Sequence, residues 1–173
     1  VLPKVEESLL TTKIEPGNYC SSLAKMKADY VSNKYPHALV IGADTIVFLK
    51  KQILNKPINN SQAKKMLSLL SGETHRVYTG VSLMWKTNNI EHTFTEITQV
   101  SFRDLNDKEI LYYINSCHTH DKAGAYGIQD VSAIFVKSIK GCYDNVVGFP
   151  LSRLYLELKK LDINLLDTIS EIS

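Results

Sequence analysis

A carboxylate embedded in an apolar, β-branched run narrows what this chain can be more than any other feature. Leu39-Val40-Ile41 and Thr45-Ile46-Val47-Phe48 read as one buried strand, bent or interrupted around Gly42-Ala43-Asp44. An ionised carboxylate buried there is costly unless a cation or several donors meet it. Asp44 therefore either closes a turn at a strand end or belongs to a site, and the strand alone leaves both readings open.

The surrounding pattern supplies the other layers. Leu23, Met26 and Tyr30 recur at helical spacing, which predicts a helix from about Tyr19 to Asn33 capped by Asn18. A tight connection at Lys50-Lys51 leads to Gln52-Ile53-Leu54. Asn60 or Ser61 then caps a helix whose Ala63, Met66, Leu67 and Leu70 share a face, closed by Gly72. The segment holding Val77, Val81 and Leu83 and the stretch from Ile90 to Phe102 read as an antiparallel hairpin around Thr87-Asn88-Asn89. Asn106 and Glu109 form a capping box before Ile110, Leu111 and Ile114. Ala133 to Ile139 has strand composition, and Leu151, Leu154, Leu158 and Leu161 mark a helix after Pro150. Without a strict βαβα rhythm, the expected class is α/β with a mixed sheet and helices packed around it.

At 173 residues, 44% hydrophobic and 22% charged, the chain suits a single domain over 1–173 with one sizeable core. A net charge of +2 gives no field for a nucleic-acid polymer, though a small anion could still be held. Cys20, Cys117 and Cys142 form no CxxC pair, which argues against a disulfide framework and for a reducing, cytoplasmic setting. No apolar run approaches the roughly 18 residues of a membrane span, so no membrane partner is expected. Walker A, GxGxxG and nucleophile-elbow motifs are absent from the sequence.

Four further segments carry chemistry. Lys56-Pro57 places an ammonium beside a fixed backbone, suited to phosphate, although alone it reads as a solvated surface lysine. Lys27 reads alone as a solvated helix residue. Asp121 to Gln129 (DKAGAYGIQ) combines glycines that admit close backbone approach with Lys122, Tyr126 and Gln129, which favours ligand binding over a plain glycine loop. Cys117, His118, His120 and Asp121 have zinc-compatible side chains but no distant second pair.

Taken in order, IGADTIV at 41–47, LNKP at 54–57, LSGETHRVYTG at 70–80, DKAGAYGIQ at 121–129 and NVVGFPL at 145–151 together resemble the Maf family of nucleotide pyrophosphatases across nearly the whole chain. The resemblance implies a fold with two lobes around a long cleft, related to the inosine triphosphate pyrophosphatases. It implies hydrolysis of nucleoside triphosphates to the monophosphate and pyrophosphate, a divalent metal (Mg2+, with Mn2+ as an alternative) and homodimers. GADT together with AYGIQ resembles the subfamily acting on dTTP, UTP and modified pyrimidine triphosphates.

Carried over residue by residue, the resemblance makes Asp44 the catalytic aspartate, Lys56 the Lys-Pro lysine and Glu7 a metal-associated carboxylate, with Glu6 as substitute. The metal would lie on Glu7 and Asp44, and Lys27, Thr45, Lys122 and Gln129 are the substrate-binding residues expected. Asp130 stands where the family often has glycine, and Phe149 replaces a common leucine. The family opens with a strand and a Ser-x-Ser-x-Arg-Arg phosphate loop, both expected to be missing from a chain that starts at Val1. The rival function is a catalytically silent nucleotide binder that regulates cell division or septum formation; a second rival is a small zinc protein built on Cys117, His118 and His120.

Overall fold

A computed structural model of the protein describes residues 15–166. Five strands form one sheet in the order β2-β1-β3-β4-β5: β1 Val40–Leu49, β2 Gln52–Leu54, β3 Thr74–Trp85, β4 Ile90–Phe102 and β5 Val136–Lys140. Helices flank it, as the α/β class requires, but every pairing among the described residues is antiparallel. The connections explain this: Lys50 and Lys51, both at positive φ, turn β1 back into β2, and left-handed Asn89 helps turn β3 into β4.

The expected break at Gly42-Ala43-Asp44 does not occur. β1 runs unbroken, paired with β3 from Val40↔Met84 to Phe48↔Arg76. Gly42 is needed for packing instead. α1, Pro16–Ser32, crosses so closely that a β-carbon on Gly42 would stand 2.4 Å from the Ala24 carbonyl oxygen, and one on Gly80 would stand 2.5 Å from the Cys20 backbone. α1 begins earlier than its periodicity indicates: Pro16 sits in its first turn, and Glu15, not Asn18, caps it by accepting from the Asn18 amide at 3.1 Å.

Asn59 caps α2, Asn60–Leu70, one residue ahead of the expected position, and Gly72 follows its end at φ 70°. The capping box opens α3, Asp107–Ser116, as the sequence indicates. The stretch from Ala133 divides into a 3-10 turn over Val131–Phe135 and then β5. A short helix that no periodicity announces, α4 Tyr143–Val147, precedes α5, Leu151–Lys160.

Strand alternation sorts the core. Ile46 and Tyr78 face α1 together with Tyr19, Cys20 and Leu23. On the opposite face Val47, Val77, Val100 and Phe102 pack against α2 and α3, while Val81, Leu83 and Phe94 pack against Leu154 and Leu158 of α5.

Candidate active site

β2 pairs with β1 only at Val47, Phe48 and Leu49, so beyond it Ala43-Asp44-Thr45 form a wall of the cleft. The cavity there measures about 480 Å³. Its lining contains Asp44, Thr45, Lys27, Lys56, Lys122 and Gln129, which brings together six of the seven residues singled out from the sequence. Glu7 lies outside the described residues.

Asp44 faces α1, and the close approach over Gly42 and Gly80 delivers Lys27 to it: the Lys27 ammonium donates to Asp44 Oδ1. Their side chains are only 20% and 12% exposed, so the half-buried carboxylate of the strand is met by a cation, as its burial demands. Behind them the Cys20 thiol donates to the Gly17 carbonyl, and burial, reinforced by the charge of Asp44, pushes it up to about 12. It stays protonated and is no nucleophile.

Lys56 is exposed at the cavity, and its loop is tied to the DKAGAY segment by a hydrogen bond from Gly124 N to the Asn55 carbonyl at 3.2 Å. Gly124, at φ 67°, lies against β1; a β-carbon there would meet the Val47 side chain at 3.0 Å. Beneath it Tyr126 lines the cavity while its hydroxyl pairs with His75 Nε2 at 2.8 Å. Burial pulls the His75 imidazole down to about 4, so it is neutral at physiological pH. Its ring stacks edge-on against Phe102 and Tyr126.

Thr45 and Lys122 line the cavity with their polar groups already engaged. The Thr45 and Thr79 hydroxyls meet at 2.9 Å and reach the carbonyls of Gly148 and Asn145, at 3.3 and 3.2 Å, which holds α4 over the sheet. Val146, Val147 and Gly148 thereby become an apolar wall of the cleft, one that the sequence motif contains but whose orientation it does not reveal. The Lys122 ammonium donates to the His118 carbonyl and to Asp121 at 2.9 Å.

The zinc-like stretch does not assemble. Among the described residues no group of three His, Cys, Asp or Glu side chains could hold a metal. His120 Nε2 pairs with Asn60 Oδ1 at 3.0 Å, and the backbone N–H of Cys117 caps α3. A hard cation of the magnesium type needs one or two carboxylate oxygens, with substrate phosphates and water for the rest, and Asp44 on the wall supplies such an oxygen donor. Among the described residues no helix is long and apolar enough to cross a membrane.

A family model described as Maf-like protein matches residues 1–161. A dTTP/UTP pyrophosphatase of Bacillus cereus strain G9842 is 46% identical over 164 residues, 95% of this chain and 84% of the relative. Relatives of the same name from Lachnoclostridium phytofermentans (46% over 160 residues, 90% and 81%) and Carboxydothermus hydrogenoformans (44% over 158 residues, 91% and 84%) are similarly close. The family match takes in every segment that walls the cavity, from Lys27 to Gly148, and the chain belongs to the Maf-like protein family.

Proposed function

We propose that the protein is a nucleoside triphosphate pyrophosphatase that converts dTTP, UTP or modified pyrimidine triphosphates to the monophosphate and pyrophosphate. One observation carries the reading: Asp44, Lys27, Lys56 and Gln129, brought from four separate segments, line a single cleft. The relatives named dTTP/UTP pyrophosphatase support the substrate class.

Hydrolysis of a phosphoanhydride needs in-line placement of water and neutralisation of spread negative charge. In this reading the exposed Lys56 and the more buried Lys27 both meet the phosphate oxygens. Asp44 takes the proton of the attacking water, and Gln129 orients the nucleotide through its amide. The apolar wall of Val146 and Val147 suits the flat face of a base. Mg2+, or Mn2+, held on Asp44 with Glu7 as the proposed second carboxylate, would supply charge neutralisation and an acidified water.

The test is a nucleotide panel with Mg2+, read as pyrophosphate release. Pyrimidine triphosphates are expected to lead; release of orthophosphate alone, or no turnover on any nucleotide, would refute the reading. A homodimer is proposed on the family resemblance, and a cytoplasmic location on the three cysteines without a CxxC pair. Light scattering at a single monomer mass would remove the first, and fractionation away from the cytoplasm the second.

A further inference from the structure

The turn that carries Gln129 is fastened from beneath in a way that neither its glycines nor its neighbours require. Asp130 N donates to the Gly127 carbonyl at 3.0 Å, which closes a four-residue turn. Both ends of that turn are then bonded again. Tyr113 of α3 donates its hydroxyl to Asp130 Oδ2 at 3.0 Å and accepts from Gly127 N at 3.2 Å. Ser132 donates its amide to Asp130 Oδ1 at 2.9 Å and its hydroxyl to the Gly127 carbonyl at 2.7 Å.

Tyr113 is itself fully buried and edge-on to Phe135 with ring centroids 5.4 Å apart. Inside the turn Ile128 points into the protein, and Gln129 is left exposed at the cavity. Lys122 lies across the same turn: a β-carbon on Gly127 would stand 2.7 Å from Lys122 Cε, and the ammonium is 4.0 Å from Asp130 Oδ2.

We propose that Asp130 is a positioning residue, which locks the Gly127–Asp130 turn against Tyr113 so that the Gln129 amide is presented to the nucleotide. The inference rests on the pyrophosphatase reading above and adds a residue to it. A carboxylate suits the post because it accepts from two donors at once while its charge faces Lys122. Asparagine keeps one acceptor and offers an N–H to the tyrosine oxygen, so it preserves the shape in part. Alanine preserves nothing.

The test is a double-mutant cycle between Asp130→Ala and Gln129→Ala, read as kcat and KM for dTTP with Mg2+ and, in parallel, as the Kd of α,β-imido-dUTP. Asp130→Ala is expected to lower kcat/KM about tenfold in the parent protein, and less than about twofold when Gln129 is already alanine. Asp130→Asn should restore most of the loss. Tyr113→Phe, which deletes one hydroxyl and keeps the ring, should show the same coupling to Gln129 and guards against an alanine variant that folds poorly.

Equal losses in both backgrounds would make the role of Asp130 merely structural and overturn the proposal, as would a Gln129→Ala protein with normal kcat/KM and Kd. A protein that binds α,β-imido-dUTP without turning over dTTP would refute the pyrophosphatase reading alone; the cycle in Kd would then decide the place of Asp130.

Discussion

Asp44 shows how little one residue says until its neighbours are placed. In sequence it is a carboxylate in an apolar run with two readings; in space Lys27 stands against it in a half-buried wall, and the turn-closing reading disappears because the strand continues on both sides. His75 is a quieter case of the same kind. It is 1% exposed, and burial holds its imidazole at about 4, below its ordinary 6.5. The unfolded chain therefore binds a proton between those values that the folded one refuses. Stability from this group is complete above pH 6.5 and is lost as the pH falls to about 4, by up to roughly 3 kcal/mol. Urea unfolding followed from pH 7 to pH 4 should show that slope, and His75→Gln should flatten it; identical slopes in the two proteins would contradict the burial account. No periodicity marks His75, since its partner Tyr126 is 51 positions away.

Among the elements, α1 and the two strands beneath it decide whether the cleft exists. Gly42 and Gly80 lie so near the helix backbone that any β-carbon must push α1 outward. Gly80→Ala is expected to cost about 2 kcal/mol or more in overpacking, and to lower kcat/KM as well, because Lys27 moves with the helix. Thermal unfolding alongside kinetics would check both, and an unchanged Tm would show that the contact is softer than described. The elements also mark where sequence reasoning reaches. The strand over Ile90–Phe102, the capping box at Asn106 and the Lys50-Lys51 turn were legible because each is written in adjacent residues. Gly42 was misread as a break because its reason, the Ala24 carbonyl, lies on another element. α4 was missed because five residues are too few for a helical period to show, and its anchors are Thr45, Thr79 and Thr98 on three different strands.

At the scale of the whole molecule, a chain of net charge +2 concentrates three lysines and three aspartates around one cavity. Such a balanced lining gives specific ion contacts rather than a broad field, which suits one small anion. Away from the cavity, α5 has its own fastening. Glu157 is buried among His92, Arg153 and Lys160; burial alone would raise its carboxyl, but the three hydrogen bonds outweigh it and hold it at about 2, fastening α5 to β4. The cleft was legible as a set of motifs; that the motifs meet was not, because their meeting depends on sheet register and on α1.

On the function proposed above, this meeting place cleaves a nucleotide between its α and β phosphates with Asp44 as base. Phosphorus NMR of dTTP and Mg2+ incubated with the protein and with Asp44→Asn tests it directly. The parent should yield thymidine monophosphate and pyrophosphate, and Asp44→Asn, folded to the same Tm within a few degrees, should be slower by about 10²-fold or more. Thymidine diphosphate and orthophosphate as the products, or an Asp44→Asn protein at the parent rate, would contradict it.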